Sequence, residues 1–187
     1  MKFFTVTLLA FFLTFSMRGQ QEDLKLFSNE EQATDVESGI LKLNFLPVSI
    51  SYEYRVDKQM TMMFEPSFQF NWTNEGQFYF SPTVSVYYRY YYNFDKRNMK
   101  GKRTAKNSVN YVGAAMIFSY WNAAWSASLN TDDYIRYVGF GPVWGIQRNY
   151  KGHFSLGINL GPIVAYGNQG FRPDAIAYLT LGFWLGK

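Results

Sequence analysis

Long runs of alternating apolar and polar residues dominate the chain from Gly39 onward. Alternation with a period of two is typical of a β-strand whose two faces meet different surroundings. In residues 60–72 every second position is apolar, and the positions between them are mostly Thr, Ser, Glu, Gln and Asn. Residues 78–92 repeat the pattern with Phe, Val and Tyr on one face and mainly Ser, Thr and Arg on the other. The sequence therefore predicts an all-β domain.

The number of strands follows from the number of alternating runs. We count eight of them, at residues 40–46, 48–56, 60–72, 78–92, 109–120, 134–149, 154–166 and 177–185. The first hairpin requires a turn at Leu46-Pro47 with almost no loop, and if residues 40–56 were one strand only seven would remain. Bacterial single-chain barrels have an even number of strands. We therefore predict an eight-stranded antiparallel up-and-down transmembrane β-barrel over residues 39–187.

The composition of the two faces indicates which one points outward. The apolar faces carry no charge, and the polar faces consist mainly of small uncharged residues. Charged residues make up 17% of the chain, against about 25% in an average soluble protein. Tyr and Trp collect near strand ends, as in the aromatic girdles of membrane barrels. This pattern favours an apolar exterior in lipid, and the alternative is a soluble lipocalin-like carrier with an apolar interior.

The N-terminal residues resemble a secretory signal. Lys2 precedes the apolar run 3–15, and a signal peptide of residues 1–19 is predicted from this pattern. Residues 20–38 are polar and acidic, and we expect them to form a flexible mature N-terminus. The chain has no cysteine, which excludes thiolate metal sites and a cysteine nucleophile. The expected location is the cell outer membrane.

Strand parity then predicts which connections share a side of the membrane. If both chain ends lie in the periplasm, the segments 73–77, 121–133 and 168–174 lie outside the cell. The segments 57–58, 93–108 and 150–152 then face the periplasm. The second of these is long and basic, whereas periplasmic turns are usually short.

Five stretches carry a resemblance to a known family: 41–56 (LKLNFLPVSISYEYRV), 81–92 (SPTVSVYYRYYY), 137–146 (YVGFGPVWGI), 153–167 (HFSLGINLGPIVAYG) and 179–186 (LTLGFWLG). With them the chain resembles the small outer-membrane β-barrel proteins of Bacteroidetes-type bacteria, including a group of unknown function. The resemblance implies an eight-stranded barrel, often without an assigned activity. It also implies outer-membrane lipids and the barrel-assembly machinery as partners, and we expect a monomer without cofactor or bound nucleic acid.

Charged residues on the inward-facing positions form the main candidate site. They lie on neighbouring strands in the first half of the barrel, at Lys42, Glu53, Arg55, Glu65 and Arg89. Charges in a narrow lumen need partners, because an unpaired buried charge is unfavourable. We expect an ion-pair network that fills the lumen, and the alternative is a polar pathway for small solutes.

The chain's only histidine suggests an enzymatic alternative. His153 and Ser155 have the His-x-Ser spacing of lipid A deacylases, which are also small outer-membrane barrels. A histidine base beside a serine nucleophile is a plausible ester-cleaving pair. However, no Glu follows Glu75 to orient the histidine, and the predicted topology places His153 beside a periplasmic turn. We therefore expect a non-enzymatic protein, with a lipid A-modifying hydrolase as the alternative.

Two connecting segments are further candidates for binding. The loop 122–133 contains Trp125, Asp132 and Asp133, and it is the first candidate for a contact outside the cell because loops on rigid barrels often carry function. The adjacent aspartates are weak evidence for a metal, and no metal site is predicted. The run from Lys96 to Lys106 is basic. It is expected to be a solvated loop, with anionic lipid head groups, peptidoglycan-associated partners or nucleic acid as alternative ligands.

Overall fold

A computed structural model of the chain describes residues 33–72, 78–121, 135–167 and 170–186. It contains eight strands: β1 (Ile40–Leu46), β2 (Val48–Asp57), β3 (Met60–Trp72), β4 (Phe78–Tyr90), β5 (Asn110–Trp121), β6 (Ile135–Asn149), β7 (Phe154–Gly167) and β8 (Gly170–Leu185). Each strand pairs antiparallel with the next one, and β8 pairs with β1, so that the sheet closes into a barrel. The predicted all-β, eight-stranded, up-and-down architecture is confirmed. Pro47 alone separates β1 from β2, so the tight first hairpin is confirmed as well.

The wall of the barrel alternates in exposure as the sequence alternates in polarity. On the outside, the exposed fractions are 50% for Ile50, 50% for Phe64 and 56% for Phe140. On the inside, Glu53 and Thr61 are completely buried. Apolar side chains therefore point outward and polar side chains point inward, which is the orientation that the composition of the faces favours.

The last hairpin differs from the sequence prediction. β8 begins at Gly170 rather than near Ala177, so the prediction of an outer connecting segment at 168–174 is wrong for residues 170–174. Gly170 has a φ of +83°, a conformation that glycine adopts without strain and that allows the chain to turn directly after β7. β8 pairs with β1 only from Leu181 onward. In the described part of the chain, residues 170–180 therefore pair with β7 alone, and this hairpin extends beyond the β1–β2 turn.

One end of the barrel is closed by a segment that we call the cap, which comprises residues 33–38 and 91–109. The sequence did not predict its two helical pieces, α1 (Phe94–Met99) and a 3₁₀ turn (Ala105–Asn107). Val36, Phe94 and Val109 are at most 1% exposed and join one apolar cluster with lumen tyrosines. The segment 93–108 is therefore packed into the barrel end rather than fully solvated.

The N-terminal predictions are only partly covered by the structure. The signal peptide at 1–19 and residues 20–32 of the predicted flexible segment lie outside the described residues. Residues 33–38 have defined contacts, for example between Val36 N and Lys58 O at 3.0 Å. No helix in the described part of the chain is long and apolar enough to cross a membrane.

Candidate functional site

Four charged side chains meet inside the barrel, and we call them the lumen charges. Lys42 comes from β1, Glu53 from β2, Glu65 from β3 and Arg89 from β4. Each is at most 4% exposed. They share the interior because all four occupy inward-facing positions on successive strands. Two cations and two anions make the group neutral as a whole.

Glu53 is the most connected of the lumen charges. Its Oε1 accepts hydrogen bonds from Tyr91 and, at 2.8 Å, from Thr61 Oγ1. Its Oε2 accepts one from Gln147 Nε2 at 3.1 Å and lies 3.8 Å from Lys42 Nζ. Hydrogen bonds from three donors, together with one cation, offset the unfavourable burial of this carboxylate.

Arg89 is held by side chains from the opposite wall. Its Nη1 donates a hydrogen bond to Gln147 Oε1 at 3.1 Å, and its guanidinium lies 4.3 Å from the centre of the Tyr111 ring. Such a cation–π contact is stronger in a desolvated site. The Tyr111 hydroxyl in turn donates to Asn159 Oδ1. Arg89 therefore connects the first four strands to β5, β6 and β7.

Glu65 lies in a separate hydrogen-bonded group on the first three strands. It accepts hydrogen bonds from Ser49 Oγ at 2.7 Å and from Asn44 Nδ2 at 3.3 Å. A cavity of about 20 Å³ lies between Glu65, Lys42 and Arg89. A cavity of this size accommodates a water molecule. It is too small for a larger solute, so this level of the lumen is filled by side chains.

Arg55 does not join the lumen charges, although the sequence predicted that it would. It lies at the capped rim, where its Nη1 is 3.7 Å from Asp35 Oδ2 and donates to Val36 O at 3.3 Å. The β2–β3 register shifts between Arg55 and Asp57, and the alternation of exposure stops there. The arginine therefore reaches out to the cap.

Several uncharged members of this site were not singled out by the sequence analysis. Gln147 is the most important, because its Nε2 donates both to Glu53 and, at 3.2 Å, to Asn107 O in the cap. The prediction of the lumen site rests on charged residues alone. The alternation in residues 134–149 also places Gln147 inward, so a search for all polar inward positions would have found it.

The structure places the two residues of the candidate ester-cleaving pair in different surroundings, with His153 exposed and Ser155 buried. His153 lies in the turn before β7 with a φ of 65°. Its ring stacks on Trp184 at 4.2 Å between ring centres, and its Nδ1 lies 3.1 Å from Trp184 O. Ser155 is buried on the inner wall. These contacts hold the imidazole against β8.

The two candidate binding segments differ in what the structure describes. Trp125, Asp132 and Asp133 lie outside the described residues. The basic segment is part of the cap, where Arg97 and Arg103 donate to backbone oxygens and Lys106 lies 2.8 Å from Glu37. Among the residues that the structure describes, no three His, Cys, Asp or Glu side chains are grouped so as to hold a metal ion.

Comparisons with protein-family models, with curated proteins and with solved structures found no match to the chain. The resemblance to small Bacteroidetes-type barrels therefore stays a prediction from the residues, and the fold rests on the structure alone.

Proposed function

We propose that this chain is an integral outer-membrane β-barrel with a structural or surface-binding role and no catalytic activity. The observation that carries the proposal is the inverted polarity of the barrel. A water-soluble barrel places apolar side chains inside and charged ones outside. Here the lumen holds four charged side chains, while Leu43, Ile50, Phe64 and many other large apolar residues are exposed.

The dimensions of the barrel support insertion into a bilayer. A transmembrane strand requires about 9–11 residues, and β3 to β8 contain 12 to 16. Hydrocarbon also requires that backbone groups are hydrogen-bonded within the protein, which a closed sheet achieves. Residues 170–180 of the β7–β8 hairpin pair with β7 alone. They include the exposed Arg172 and Asp174, which suits a position beyond the hydrocarbon.

The filled lumen favours a structural or surface role over transport. The cap closes one end, and the lumen charges, with Tyr87 and Tyr111, occupy the interior. Eight strands enclose a space that side chains can fill. At the level of these side chains only the cavity of about 20 Å³ beside Glu65 remains, which is too small for an open channel.

The first experiment is heat-modifiability of the mature protein in isolated outer membranes, by comparing unboiled and boiled samples on SDS gels. We expect fractionation with the outer membrane and a faster-migrating unboiled band that shifts on boiling. A soluble protein without such a shift would refute the proposal and favour the carrier alternative.

The hydrolase alternative requires its own test. Expression of the chain in a Gram-negative host should leave the mass of lipid A unchanged. Loss of an acyl chain from lipid A that is abolished by Ser155→Ala would contradict a non-enzymatic role.

A further inference from the structure

The capped end of the barrel carries a large excess of positive charge. Four acidic residues of the described chain lie there, namely Asp35, Glu37, Asp57 and Asp95. They face ten basic residues: Arg55, Lys58, Lys96, Arg97, Lys100, Lys102, Arg103, Lys106, Arg148 and Lys151. Among the residues that the structure describes, the capped end is therefore strongly basic.

Part of this charge stabilises the cap, and part of it faces outward. Within the cap, Arg97, Arg103 and Lys106 contact backbone oxygens or Glu37. By contrast, Lys96, Lys100 and Lys102 are exposed. We call these three lysines, together with Met99, the lysine face.

The lysine face has a defined orientation because the opposite side of α1 packs into the barrel end. Phe94 is completely buried in the barrel end. Residues three apart on a helix are neighbours on its surface, so Lys96 and Met99 lie on one side of α1. Lys100 follows directly after the helix. Met99 is 82% exposed, which leaves a large apolar side chain among the lysines. Basic residues around an exposed apolar group are typical of surfaces that contact membranes.

Exposed tyrosines lie between the apolar wall and the lysine face. They lie at the capped ends of β2 and β4 or just beyond the ends of β4 and β6, at Tyr54, Tyr88, Tyr90, Tyr92 and Tyr150. The Tyr92 hydroxyl accepts a hydrogen bond from Trp144 Nε1 at 3.2 Å. Amphipathic aromatic rings are enriched at the level of the lipid head groups. Only Asn93 separates Tyr92 from the start of α1, so the lysine face begins immediately beyond this aromatic level.

We propose that the lysine face binds the anionic head groups of phospholipids in the leaflet that borders the capped end. Clusters of Lys and Arg directly beyond a membrane-spanning segment attract anionic lipids. This inference rests on the proposed membrane location and specifies the lipid class that the barrel selects. The inference rests on the spatial order at the capped end, where the exposed tyrosines follow the apolar wall and the lysine face follows the tyrosines.

The test uses the mature full-length chain in nanodiscs of phosphatidylcholine mixed with phosphatidylglycerol, and native mass spectrometry counts the lipids that stay bound. The variant K96Q/K100Q/K102Q removes the three charges, and K96R/K100R/K102R is the matched control that keeps them. We expect the wild type and the arginine variant to retain phosphatidylglycerol in preference to phosphatidylcholine. The glutamine variant should lose up to about a hundredfold of this preference, since each of three basic residues near an anionic surface contributes roughly fivefold.

Two results would overturn the inference in distinguishable ways. If all variants insert and the glutamine variant keeps its preference for phosphatidylglycerol, the lysine face does not select the lipid, while the membrane location stands. If the wild type does not insert into nanodiscs of either composition, the membrane location fails and this inference fails with it.

Discussion

At the scale of single residues, Glu53 has the strongest influence on the lumen. Its carboxylate receives hydrogen bonds from β3, β6 and the cap and lies beside Lys42 on β1. Removing one partner from a buried, charged group is unfavourable mainly because the remaining partners stay buried without compensation. Loss of the Glu53 carboxylate would leave the Lys42 ammonium without its nearby anion. It would also leave Tyr91 and Gln147 each without one hydrogen-bond acceptor.

We therefore expect Glu53→Ala to reduce the free energy of unfolding by about 3 kcal/mol or more. Glu53→Gln should have a smaller effect, because the amide oxygen still accepts hydrogen bonds. Urea unfolding of the barrel in lipid vesicles, followed by tryptophan fluorescence, measures both changes. Arg55→Ala is the matched control, because its ion pair with Asp35 is largely exposed and should contribute about 1 kcal/mol or less. Equal losses for Glu53→Ala and Arg55→Ala would contradict the central role of Glu53.

Gly161 shows a different constraint at this scale. It faces Pro142 across the β6–β7 pair, and an added Cβ would overlap the Pro142 carbonyl oxygen. Gly157, on the same strand, is the matched control, because its nearest neighbour would be the Thr180 Cβ at 3.4 Å. Gly161→Ala should lower the free energy of unfolding by about 1–3 kcal/mol through strain, whereas Gly157→Ala should be close to neutral. The same urea titration compares them, and a neutral Gly161→Ala would mean that β6 and β7 separate without difficulty.

At the scale of elements, the sequence predicted the strands well and the cap poorly. A strand is visible because polarity alternates along residues 60–68, with Met63 as the one exception. This local pattern determines which face is buried. The cap has no such period. Phe94 and Val109 are buried in one cluster with Val36, which is far away in the chain. Contacts of this kind depend on closure of the sheet, which no local pattern in the sequence describes.

The cap is held by a small set of contacts around Glu37. Glu37 Oε1 accepts a hydrogen bond from Lys106 N at 2.7 Å, and Glu37 N donates to Asn107 Oδ1 at 2.7 Å. Lys106 and Asn107 have φ values of 53° and 56°. Non-glycine residues rarely adopt this left-handed region, and they remain there when surrounding contacts hold them. Glu37 supplies those contacts.

Glu37→Ala should therefore loosen the cap and leave the barrel closed. A loss of about 2 kcal/mol in local stability corresponds to roughly thirtyfold faster amide hydrogen exchange at Lys106–Val109. Exchange in the middle of β3 should not change. Asp57→Ala is the control at the same end, because the Asp57 carboxylate accepts a hydrogen bond from the backbone of its neighbour Lys58. Unchanged exchange in Glu37→Ala would show that the apolar contacts of Val36 suffice to hold the cap.

At the scale of the whole molecule, the decisive property is the direction in which the wall faces. The sequence alone left two orientations possible, since a lipocalin-like barrel alternates in the same way. The structure resolves the orientation of the side chains, with Phe64 outside and Glu53 inside. The medium around the wall is a separate question, and a substitution on the outer face can answer it.

Phe64→Arg tests that medium. Phe64 lies in a middle row of the outer wall, between Tyr52 on β2 and Val86 on β4. If this row is in hydrocarbon, the arginine should reduce the free energy of folding into lipid vesicles by about 2–4 kcal/mol. The folded fraction, read as the heat-modifiable band, measures the loss. Met99→Arg places the same charge on the exposed cap and should have little effect. If water surrounds the wall, Phe64→Arg should be as harmless as Met99→Arg and should increase solubility, because it interrupts a large exposed apolar surface.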